Sequence, residues 1–176
     1  MLIDGILVSK VDEKLGPIAL VYSGSFEIHP GFLTLFATQT LSFVMMGESL
    51  AENQFETAIL PLSQIKRKAL IFGWHEPVEG ARGGVVAHSI AVLFQAGRED
   101  QILFIKEAIE ESVKFLRVNI SCPKEEIQQL LNTIIQNLNE TRATGSKEIG
   151  KGTMISQIDS SDADFKKALE ELGSED

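Results

Sequence analysis

Residues 3–22 run IDGILVSKVDEKLGPIALVY, two apolar stretches separated by a short polar one. Ile3 to Val11 is rich in Ile, Leu and Val and predicts a strand. Asp12-Glu13-Lys14-Leu15-Gly16 is a polar turn in which Gly16 is free to take a positive φ. Pro17 opens a second β run, Ile18 to Tyr22. Two strands joined by so short a link make a hairpin.

Ser23 to His29 reads as a connecting loop, and Pro30 suits the first turn of a helix, where its missing N–H has no partner to lose. The helix is expected to run to Met46 and stop at Gly47. Its apolar residues (Phe32, Leu33, Leu35, Phe36, Leu41, Phe43, Val44, Met45, Met46) go nearly all the way round. That predicts cover on more than one side, by a sheet and by something else such as a partner chain. Pro30 to Gly47 carries no charge, yet it falls short of the roughly 20 residues a membrane span needs. It also holds Thr34, Thr38, Gln39, Thr40 and Ser42, so a buried core helix is expected rather than a transmembrane segment.

Three more β runs follow: Gln54 to Leu62, Lys68 to Trp74 and Val85 to Phe94. The last is apolar on both faces, as a central strand covered above and below would be. Glu76 to Gly84, with Pro77, Gly80, Gly83 and Gly84, predicts a mobile hairpin loop. Two helices come next. Glu99 to Val118 carries Ile102, Leu103, Ile105, Ile109, Val113 and Leu116 at mostly helical spacing. The second starts at Pro123, with Glu125 and Glu126 at the positive end of its dipole. Its stripe is Ile127, Leu130, Leu131, Ile134, Ile135 and Leu138, and Asn137, Asn139 and Glu140 mark its polar end. The expected fold class is therefore α/β (α+β): a five-stranded, mostly antiparallel sheet in the order β-β-α-β-β-β-α-α, with helices on both faces. This domain covers residues 1–140. Thr141 to Ser161 turns to Gly, Ser, Thr and charge and reads as a flexible linker. Asp162 to Leu172, with Phe165, Ala168, Leu169 and Leu172 on one face, is a short amphipathic segment.

The 176 residues are 44% hydrophobic and 23% charged, ordinary globular usage. A formal net charge of -9 argues against a nucleic-acid partner. Cys122 stands alone, which excludes an intramolecular disulfide and a cysteine-based zinc site. Met1-Leu2-Ile3-Asp4 has no basic region of a secretory signal, and a cytoplasmic location is expected.

Ile6-Leu7-Val8-Ser9-Lys10-Val11-Asp12-Glu13-Lys14-Leu15-Gly16-Pro17-Ile18 resembles the opening hairpin of longin (profilin-like) domains, where a Leu-Gly-Pro turn follows an apolar strand. It is most similar to the amino-terminal longin domain of the nitrogen permease regulator-like proteins, relatives of folliculin. Ile65-Lys66-Arg67-Lys68-Ala69-Leu70-Ile71-Phe72 resembles the same family at a second place, where a basic residue directly precedes an Ala-Leu-Leu-Phe-like strand. The resemblance covers roughly Ile3 to Glu140. It implies a protein-interaction module in vesicle trafficking and signalling that regulates small GTPases. It also implies pairing as a dimer, with itself or with a longin or roadblock-type chain. Larger members carry further domains after the longin unit, and activities that need them are not expected of this chain alone.

In that family an arginine before the matching strand acts as a finger toward a bound GTPase, and the matching position here is Arg67. A guanidinium beside a transferring γ-phosphoryl group stabilises transition-state charge. The alternative is that Lys66-Arg67-Lys68 is a solvated turn guarding a sheet edge. Lys66, Lys68, Trp74 and Arg82 are candidate partner contacts: Trp74 as an interface anchor or as ordinary core, and Arg82 as a second finger in the glycine-rich loop. Gly145-Ser-Lys-Glu-Ile-Gly150-Lys151 approaches a phosphate loop, but Gly152 stands where a Mg²⁺-binding Ser or Thr belongs, and no strand precedes it. His29, His75 and His88 are scattered, with no second ligand at metal spacing, and His88 reads as a core histidine. Ser89 beside it lacks the Gly-x-Ser-x-Gly elbow of a nucleophile. No cofactor is expected.

Overall fold

The computed structural model describes residues 1–46, 54–81 and 84–144. Gly47, Arg82, Gly83, the phosphate-loop-like segment and the amphipathic segment after Asp162 lie outside the described residues. Strand β1 (Gly5–Asp12) and strand β2 (Gly16–Gly24) form the expected hairpin. Asp12 makes its turn: Oδ1 accepts the backbone N–H groups of Lys14 at 2.9 Å and Leu15 at 3.0 Å, and Gly16 follows at φ 77°. One residue of β2, Leu20, has no partner because the register shifts between Val8↔Val21 and Ser9↔Ala19. Such a bulge blunts an edge strand against foreign pairing.

Helix α1 (Pro30–Met46) follows, then β3 (Glu56–Leu62), β4 (Arg67–Pro77) and β5 (Val85–Gln95). The sheet order is β2-β1-β5-β4-β3, and every pairing is antiparallel. The apolar run at Val85 to Phe94 is thus the middle strand. Directly opposed residues share a face, so the register assigns each side. Leu7, Ala91, Ile71, Ala69 and Leu93 face α1, where they bury Phe36. Gly73 and Ala87 lie on the same side, against Val44. Small residues in this row let the helix approach closely.

The other face is Ile6, Val8, Leu70, Phe72, Trp74, Ile90, Val92 and Phe94, all buried. Helices α2 (Glu99–Phe104), α3 (Lys106–Val118) and α4 (Lys124–Thr144) cover it. Arg117 of α3 lies 5.6 Å from the centre of the Trp74 ring. Asn139 of α4 clasps the chain's start: its Oδ1 accepts the N–H of Leu2 at 2.6 Å and of Ile3 at 3.0 Å, and its Nδ2 donates to Ile3 O at 3.0 Å. The fold is longin-like in order and layering, with helices on both faces of one sheet.

Two local expectations are corrected. The helix expected over Glu99 to Val118 is broken at Ile105, whose φ and ψ are -100° and 15°. Neither Gly nor Pro marks the break, so the sequence carries no punctuation for it. Helix α4 continues to Thr144, past the polar end expected at Glu140. Among the described residues no helix is long and apolar enough to cross a membrane.

Candidate interaction site around Arg67

The junction between β3 and β4 is a single 3-10 turn, Ser63–Ile65, closed by Lys66 at φ 53°. Arg67 is therefore the first residue of a strand, fixed between Leu62 on β3 and Gln95 on β5. A strand end flanked on both sides is a rigid mount. The side chain does not reach outward from it. Arg67 Nε lies 2.5 Å from Asp4 Oδ2, with Arg67 25% and Asp4 5% exposed at the side chain. Neither atom has an aligned hydrogen bond, so charge rather than N–H geometry holds the contact. The guanidinium carbon also sits 5.3 Å from the centre of the Phe26 ring, within cation–π range.

Asp4 is placed by its own backbone. Its N–H donates to Leu93 O at 2.8 Å, and its carbonyl accepts the N–H of Ser25 at 2.8 Å. The Tyr22 hydroxyl donates to Phe26 O at 2.9 Å. Burial, reinforced by the Asp4 charge and opposed by Arg67, pushes the Tyr22 phenol up to about 12. This is the only tyrosine in the chain, so its ultraviolet ionisation band reports one group. We expect a titration midpoint near pH 12 in the folded protein, against about 10 for an unperturbed phenol. Because the fold favours the neutral phenol, the stability it contributes is complete below pH 10 and is lost as the pH climbs toward 12. A midpoint at 10 with the fold intact would show that Tyr22 is solvated.

The basic run is not three solvated charges. Lys66 is exposed, whereas Lys68 pairs with Glu99 at the start of α2. The Lys68 ammonium, followed by the N–H groups of Glu99 and Gly97, holds the Glu99 carboxyl down at about 2. Trp74 is 2% exposed, so the indole packs as core and offers no surface to a partner. It also lies on the opposite face from Arg67, roughly 23 Å along the strand at ~3.3 Å per residue. Arg82 lies outside the described residues.

Trp74 belongs to a second cluster. His88 stacks on it at 5.2 Å between ring centres, and Phe55 meets it edge-on at 5.8 Å. Burial, then the charges of Lys10, Arg117 and His75, pushes the His88 imidazole down to about 4, so it is neutral at pH 7. In that form Nε2–H donates to Glu76 Oε2 at 3.1 Å, and His88 is a core histidine with one satisfied nitrogen. His29 Nδ1 accepts the N–H of Gly31 at 3.1 Å, a helix-start contact. The Ser89 hydroxyl is buried against Thr40 Oγ1 at 3.0 Å. Among the described residues no three His, Cys, Asp or Glu side chains converge as metal ligands.

No family model matches the chain, and no curated protein matches it in sequence. Among solved structures it is similar to the longin domain of K. lactis Lst4, with a TM-score of 0.47 and 9% identity. The match covers 81% of this chain and 97% of that one. The longin-like assignment itself stands on the element order and strand pairing described above.

Sequence reading missed Asp4, Tyr22 and Phe26. One signal was present at Asp4: a lone carboxylate inside the apolar run Leu2-Ile3-Asp4-Gly5-Ile6 needs a cation once that run is buried.

Proposed function

We propose that this chain is a longin-like protein-interaction module that binds a small GTPase and pairs with a second chain, of its own kind or of the longin or roadblock type. Residues 1–140 form the working domain. The pairing surface is the outer side of α1. Phe32, Leu35 and Met45 there remain 40%, 38% and 59% exposed, on a helix with no charged residue. An apolar side left uncovered by its own domain is a common mark of an interface. Toward the GTPase, Arg67 is the residue that acts on nucleotide, with exposed Lys66 beside it as an electrostatic contact. The observation that carries this reading is the mount: a guanidinium on the first residue of a doubly flanked strand, directly after a turn.

A second reading is an adaptor in a trafficking or tethering complex that leaves the nucleotide untouched. The Asp4–Arg67 ion pair favours it, because it gives Arg67 a structural role.

GTP hydrolysis by small GTPases of the same organism separates the two. Stimulation by wild type that falls by about 10³-fold or more with Arg67→Lys supports the finger, since an ammonium keeps the charge but not the planar fork. Equal rates with wild type and Arg67→Lys, both folded, leave the adaptor.

A further inference from the structure

The side chain of Arg67 lies beneath a latched segment. Residues 25–29, between β2 and α1, carry Phe26 across the guanidinium. Three ties hold this segment and the strand end before it. The Tyr22 hydroxyl donates to Phe26 O at 2.9 Å. Both the N–H and the hydroxyl of Ser25 reach Asp4 O, at 2.8 and 3.2 Å. The Ser23 hydroxyl bonds Asn132 Oδ1 on α4. Asp4 thus holds two things at once: Arg67 by its carboxylate and the covering segment by its carbonyl.

We propose that residues 25–29 are an autoinhibitory cover over Arg67, opened when a phosphoryl anion presented by a partner protein replaces the Asp4 carboxylate at the guanidinium. The consequence for hydrolysis rests on the function proposed above; the cover itself does not. The ties amount to four hydrogen bonds, each of modest net strength, so the cover opens as a local event while the sheet stays folded. Residues 25–28 of the segment border an open cleft of about 540 Å³ with Gln128 and Asn132. The exchange suits the chemistry. A guanidinium paired with one carboxylate oxygen through Nε gains a bidentate contact on a phosphoryl group. A closed cover keeps the arginine from indiscriminate anions until the right partner supplies the binding energy for opening.

The test is chemical modification of Arg67 by phenylglyoxal in the folded full-length chain, read by peptide mass spectrometry. Phe26→Ala removes the ring, and Tyr22→Phe removes only the latch bond while keeping the aromatic packing. Arg67 is expected to react slowly in wild type and about tenfold faster in Phe26→Ala, as when a mostly closed state becomes open. Tyr22→Phe is expected to fall between them, and it carries the test alone if Phe26→Ala does not fold. Equal rates in wild type and the folded variants overturn the cover. A hydrolysis assay on the same proteins separates the two ideas. Faster modification with faster GTP hydrolysis supports both, whereas faster modification with hydrolysis at the intrinsic rate keeps the cover and removes the finger.

Discussion

Arg67→Ala is expected to lower the free energy of unfolding by about 2–4 kcal/mol. Breaking a buried pair by removing one member costs about 3–5 kcal/mol, because the other charge is left without compensation. Here the charge left behind is Asp4, 5% exposed at its side chain, so most of that penalty applies. Arg67 itself is 25% exposed, and water entering the space it leaves solvates Asp4 in part, which sets the lower figure. Loss of the contact with Phe26 adds roughly 0.5–1 kcal/mol. The measurement is urea unfolding followed by the fluorescence of Trp74, the only tryptophan. Asp4→Asn in the Arg67→Ala background should recover much of the loss, since an amide needs no counter-charge. A change below about 0.5 kcal/mol, the scale of surface pairs, would mean that the pair is solvated and contributes nothing. The result also bears on function: lost GTPase stimulation by Arg67→Ala means little unless the variant is folded at the assay temperature. Arg67→Lys is the better probe for that reason.

Gly73→Ala is the second large effect, and it arises from sterics alone. A Cβ at Gly73 would lie 2.1 Å from Val44 Cγ2 and 3.1 Å from both Val44 Cβ and Cγ1. Valine in a helix has essentially one rotamer, and Val44 is 0% exposed, so it cannot turn aside. Either α1 lifts off the sheet or Val44 leaves its rotamer. We expect a loss in the upper part of the range of about 1–3 kcal/mol for an overpacked core. Val44→Ala alone leaves a cavity and is also destabilising. The double variant is expected to be more stable than the sum of the two losses predicts, with a coupling of about 1 kcal/mol or more for residues in contact. Strictly additive losses would show that helix and sheet do not meet at this point.

The hairpin at residues 3–22, the uncharged helix, the central position of Val85 to Phe94 and the final helical stripe were all legible, because each is written in a local period. Apolar residues at every second place make a strand, and those at every third and fourth make a helix. Gly16 and Pro30 punctuated these runs. The break at Ile105 was not legible, since no residue type there forbids a helix. The candidate site was half legible. Lys66-Arg67-Lys68 stood out as a basic cluster, and its alternatives were a finger or a solvated turn. What the sequence did not show is that the Arg67 side chain folds back between Asp4 and Phe26.

What this sequence determined by itself was the kind and order of its elements, apart from the break at Ile105. Those follow from short-range sterics and from the partition of apolar side chains, which act residue by residue. Only the tertiary structure decided that β1 and β4 flank β5, and hence that Asp4 meets Arg67 while Trp74 disappears beneath α3. Strand order and register bring together residues distant in the chain, and a carboxylate in an apolar run states its need for a cation without naming which one. That choice belongs to the burial of the whole sheet.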